Sequence, residues 1–246
     1  MFKNIIKYSS FGYRRIFKIF GIKISYYNRK RGLNKFIPLG INCFPRVILT
    51  INNFKNRKTD GELTYPFDLC VIDFNSIAKI LENDFADLYN DLVYDENHKQ
   101  VKWVNKKYNI YYPHDNELKT KDEFMKRYNK RIEQFKNILK IKNNLVFISC
   151  LFFDKQVYAS TINSIYKSLC RYTNGHKFNY YIANLCENNV NLLIKDEEIN
   201  KNVVYQEIIV EKDFSKFWGD EIFEKSPRVM KTFNDMYYTL KELIKV

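Results

Sequence analysis

Two residues of this 246-residue chain, Cys43 and His114, have side chains suited to covalent chemistry and lie 71 positions apart. Cys43 stands in IPLGINCFPRVILT, just after an apolar run that breaks at Gly40. Gly40 permits a sharp turn, Asn42 suits a helix N-cap, and Pro45 is tolerated in a first helical turn. Cys43 would then open a helix, where the partial positive charge of unpaired N–H groups favours thiolate over thiol. It reads equally as a small buried hydrophobe, the usual state of a free cysteine. His114 closes the strand-like run NIYYPHD, with Pro113 fixing the chain before it. A thiol nucleophile needs an imidazole to exchange its proton and a third group to orient the ring. Asp115 adjoins the histidine, but neighbours on an extended strand face opposite sides, so Asp68, Asn116 and Asp154 stand as alternatives. The backbone N–H of Cys43 and the side chain of Asn42 are the oxyanion donors such a site would use, although Asn42 serves equally as a cap. His98 and His176 lie in the polar segments DENHKQ and TNGHKF and read as surface residues.

The elements that must position this pair have an α/β pattern. A short strand ends at Leu39, and residues 43–53 read as a helix. Pro66 and Asp68 mark a turn, and a helix follows over 75–81. DFADLYNDLVYD reads as a second amphipathic helix, with Phe85, Leu88, Leu92 and Val93 on one side. KWVNKKYNIYYPHD reads as strands, in hairpin form. The clearest helix covers 122–141, where Phe124, Tyr128, Ile132, Phe135, Ile138 and Leu139 recur at helical spacing. NLVFISCLF is a buried strand and VYASTINSIYKSLCRYT a helix. KFNYYIANL and VVYQEIIV are further strands, and RVMKTFNDMYYTLKELIK is a closing helix. Strands and helices alternate here, so one α/β domain over 35–246 is expected, with a central, mostly parallel sheet containing 145–151, 178–184 and 203–210. Cys150 and Cys186 should be buried on its strands.

Composition narrows the function classes. Apolar residues make up 46%, with 20 Phe and 19 Tyr, which is far from a disordered chain. Five cysteines without a C-x-x-C pair argue against a zinc site or a disulfide framework, and no cofactor or metal is called for. They suit a reducing, cytoplasmic setting. The net charge of +13 is one-sided: 14 Lys or Arg precede the first acidic residue, Asp60, leaving 41 − 14 = 27 basic against 28 acidic residues. That pattern is a basic arm over 1–34, not a nucleic-acid face. Its stretch YRRIFKIFGIKISYYNRKRG reads as a short amphipathic turn of helix followed by an alternating piece. It suits either an anionic membrane surface, at the inner face of the membrane, or packing on the domain with its basic side in water. No phosphate-binding GxxxxGK[ST] loop and no D-x-D motif occur, which disfavours a P-loop NTPase and a metal-dependent glycosyltransferase.

LGINCFPR, YPFDL, YYPHD, RYNKRIEQFKNIL and the following LVFIS strand together resemble a bacterial family of unknown function whose members are described as papain-like cysteine peptidases. The likeness runs from about Phe36 to Leu151. A cysteine at a helix start followed by a histidine at a strand is also the papain-like order. The resemblance implies a papain-like fold, Cys43 as nucleophile, His114 as base, Asp115 as its acidic neighbour, and Pro66, Phe67 and Asp68 as a motif read here as substrate-binding. Leu69 stands where members tend to have tryptophan, and Ser149 where they tend to have arginine. The expected activity is a thiol-dependent hydrolase, peptidase or amidase. The substrate would be acyl, peptide or glycan-linked. The variants are an acyltransferase, or a non-catalytic binding module, in bacterial surface-polysaccharide assembly.

Overall fold

NLVFISCLF is apolar at odd and even positions alike, as a strand covered on both faces must be. In the computed structural model it is β8 (Asn144–Phe152), the second strand of a parallel four-stranded sheet. The structure describes residues 6–11, 14–19, 22–27, 34–56, 62–97, 99–141, 144–152, 159–187, 199–214, 219, 221 and 226–244. The sheet order is β10 (Val203–Val210), β9 (Phe178–Glu187), β8, β4 (Asn34–Pro38). Pro38 is tolerated because β4 is an edge strand.

Alternation along the strands divides the core in two. Leu145, Phe147, Leu151, Tyr180 and Ile182 face one side, which α2 (Phe74–Glu82), α3 (Lys121–Lys140) and α4 (Ala159–Tyr172) cover. Val146, Ile148, Cys150, Tyr181, Ala183 and Leu185 face the other, under α1 (Phe44–Ile51) and α5 (Pro227–Leu243). Burying five or six large apolar side chains per face, at about 1.5–3 kcal/mol each, supplies most of the drive for this arrangement. Cys150 and Cys186 are buried on strands, as expected. The long helix starts at a capping box, Thr120 with Glu123, and buries Phe124, Tyr128, Ile132 and Phe135.

A small antiparallel sheet, β5 (Leu92–Tyr94), β6 (Trp103–Asn105) and β7 (Ile110–Tyr111), leads into the turn bearing His114. The expected hairpin is therefore present. The helix expected over DFADLYNDLVYD is not: residues 83–91 form successive turns and Leu92 begins a strand. Asp84, Phe85 and Asp91 take positive φ of 53°, 66° and 57°, which no right-handed helix accommodates. The arm also differs from expectation. Its backbone forms an antiparallel meander, β1 (Ile6–Phe11), β2 (Arg14–Ile19) and β3 (Ile22–Tyr27), rather than a helical turn. Two residues including a glycine separate each pair, Gly12-Tyr13 and Phe20-Gly21, the spacing of a hairpin. Among the described residues no helix is long and apolar enough to cross a membrane.

Candidate functional site

Cys43 sits where β4 ends and α1 begins. A Cβ on Gly40 would come within 2.2 Å of the Asn42 carbonyl oxygen, so only glycine allows this return of the chain. Asn42 Oδ1 accepts from the Phe44 N–H at 2.9 Å, so the side chain caps the helix; no hydrogen bond uses its Nδ2. Cys43 occupies the boundary position itself, half-buried and free. Its thiol lies above the ordinary value because burial disfavours the thiolate more than its own backbone N–H favours it. The helix start therefore does not give the expected resting thiolate: one turn of dipole is outweighed by desolvation. Cys70 is wholly buried, its thiol pushed up to about 12, and Cys150 is raised further by burial.

Sheet topology gives this position its significance. The chain leaving β4 enters α1 on one face, and after β8 the next helix, α4, lies on the other. Cys43 lies just beyond the carboxyl end of β4, the end of the strands at which open α/β sheets hold their ligands. Beside the end of β4, Ser149 Oγ on β8 donates to the Leu39 carbonyl at 2.7 Å and lies 3.1 Å from the Tyr180 hydroxyl.

His114 lies in the exposed turn after β7. Backbone bonds tie that region to the Cys43 segment: Ile72 N donates to Ile41 O, and Val71 pairs with Tyr111 in both directions. Among the described residues no hydrogen bond or ion pair reaches the imidazole, and none joins it to Cys43. Asp115 does not serve it either. It is fully buried and takes both terminal nitrogens of Arg131 at 3.0 and 3.1 Å, Arg127 at 2.9 Å and the Tyr128 hydroxyl at 2.9 Å. Burial alone would raise its carboxyl; Arg131 and these hydrogen bonds outweigh burial and hold it below the usual range. Asn116 is engaged at both ends, accepting from Lys102 N and donating to Gln100 O. Asp154 and His98 lie outside the described residues.

The motif at 66–68 is interior. Phe67 stacks on Phe85 and meets Phe135 edge-on, Pro66 is buried, and Asp68 is wholly enclosed. Asp68 Oδ2 lies 3.1 Å from Arg46 and 3.8 Å from buried Lys55, while Oδ1 has no partner. These placements give the three residues packing and ionic roles. Among the described residues no group of His, Cys, Asp and Glu could hold a metal ion.

Arg46, Lys55, Arg127 and Arg131 were not singled out from sequence. One signal was there: Arg131 interrupts the apolar stripe of α3 between Tyr128 and Phe135, and a buried cation requires a buried acid. No family model, curated protein or solved structure matches the chain.

Proposed function

We propose that this protein is a thiol-dependent acyl-transfer enzyme, a hydrolase in its simplest form, with Cys43 as nucleophile and His114 as general base. The observation that supports it is the position of Cys43 at the carboxyl end of β4 and the start of α1, half-buried and free. Cys43 rests as a neutral thiol, so the proton leaves during attack and not before it. The Sγ–carbon bond forms as the imidazole takes the thiol proton. The leaving group departs with that proton, and water or an amine then releases the acyl group. The unused Nδ2 of Asn42 and the N–H groups at the start of α1 are the donors for the oxyanion. The Asp115–Arg131 pair anchors the turn next to the histidine.

An activated acyl ester tests this, with intact and peptide-level mass spectrometry to place the acyl group. Acylation should fall on Cys43 in preference to half-buried Cys170, and be lost in Cys43→Ala. Equal labelling of Cys43 and Cys170 would contradict it. The binding-module reading has one observation in its favour: among the described residues no side chain hydrogen-bonds to the His114 ring.

A further inference from the structure

Away from Cys43, the outer side of α3 and the segment 62–64 enclose an open groove of about 570 Å³. Its lining includes Lys126, Arg127, Lys130 and Arg131 from successive turns of the helix, with Glu62 and Glu123 as the acids. The acids have hydrogen-bond partners of their own, and Glu123 also faces Arg127 electrostatically. Glu62 accepts from the Asn56 N–H and lies 3.7 Å from Lys55, and Glu123 accepts from the Lys119 and Thr120 N–H groups in the helix cap. Lys126 and Lys130 are exposed and, among the described residues, have neither ion pair nor hydrogen bond. Arg127 uses one terminal nitrogen on Asp115 and Glu117, leaving its other N–H groups open. Like charges at i and i+4 repel along a helix, so the Lys126–Lys130 pair carries a cost that an anion would relieve, whereas Asp115 already bridges Arg127 and Arg131.

We infer that this groove binds a small phosphate ester. Two lysines and the arginine fork suit a phosphate group, which they would hold by charge-assisted hydrogen bonds. The hydroxyl of Thr64 and the amide of Gln134 offer neutral polar contacts, and Leu63 and Leu118 offer apolar surface to the organic part. The volume lies in the range of about 300–1,000 Å³ usual for small-ligand sites, and the concavity is confined to one helix and one strand of chain, unlike an extended nucleic-acid or membrane face. The inference is independent of Cys43 chemistry.

Calorimetric titration of the full chain with inorganic pyrophosphate, ribose 5-phosphate and citrate tests it. Both phosphate probes should bind saturably at one site. Lys126→Ala/Lys130→Ala should weaken them by about tenfold or more with an unchanged melting temperature, because neither side chain has a partner to lose. Lys140→Ala, on the same helix outside the groove, should change nothing. Binding untouched by the double variant, citrate binding without phosphate binding, or no saturable binding would overturn the inference. So would single-stranded DNA or anionic vesicles that bind while pyrophosphate neither binds nor competes.

Discussion

Asp115 and Asp68 are both fully buried carboxylates beside arginines, yet burial wins at one and loses at the other. Asp115 receives four hydrogen bonds, two of them a bidentate pair from Arg131, and titrates below the usual range. Asp68 has a single side-chain hydrogen bond, from Arg46, and an unpartnered Oδ1, and burial pushes it from 3.8 up to about 7. Proximity to a cation is therefore a poor guide to ionisation in a core. The count of donors that replace lost water decides it. The difference also bears on the proposed site: Asp115 is committed to α3 and does not orient the ring of His114.

The largest test of this contrast is Arg131→Ala. It leaves the Asp115 charge buried with weaker partners and should cost about 3–5 kcal/mol in urea unfolding. Arg46→Ala should cost less at about pH 5, about 1–3 kcal/mol, because Asp68 can take up a proton when its cation is lost. Above about pH 7 the same substitution should cost more, since the unmodified protein then ionises Asp68 beside Arg46 whereas the variant must keep that carboxyl protonated. Equal costs for Arg46→Ala at both pH values would show that Asp68 does not change its ionisation between them, against this contrast with Asp115.

The pH dependence of the unmodified protein sharpens the point. The folded Asp68 holds its proton up to about 7, while the unfolded chain releases it near 3.8. The folded state therefore binds more protons in that window, and Asp68 contributes stability that falls as pH rises through it. Asp115 acts oppositely: its contribution is present above 3.8 and is lost as pH falls below that value. Asp68→Asn should remove the first dependence and keep the second. The smallest effect belongs to Arg127→Ala. That side chain is partly exposed and shares Asp115 with Arg131, so less than about 1 kcal/mol is expected.

The fold was legible where burial imposes a period. Leu145 to Leu151 alternate between two apolar faces, and α3 repeats its apolar residues every third or fourth position, so local sequence carried both signals. Residues 83–91 misled because their helical spacing is apolar enough, but Asp84, Phe85 and Asp91 adopt positive φ without any glycine to announce it. At the site, the cap by Asn42 and the placing of Cys43 at a helix start are contacts within two residues and could be read. The ionic partners could not. Arg46 meets Asp68 across 22 positions and Arg131 meets Asp115 across 16, pairings that only the folded chain makes. The state of the thiol is open in the sequence for a related reason, since burial of Cys43 depends on packing that no single stretch encodes.

The central claim is that Cys43 attacks with His114 taking its proton, and the pH profile of Cys43 acylation by an activated ester tests it most directly. With a working imidazole the rate should be high near neutrality and level off well below the range where the buried thiol ionises unaided. In His114→Ala the plateau should vanish, the rate near neutrality should fall by about 10²–10⁴, and reaction should appear only as the thiol itself ionises, above its ordinary 9.0. A single profile shared by the unmodified protein and His114→Ala, rising only in alkali, would contradict the account.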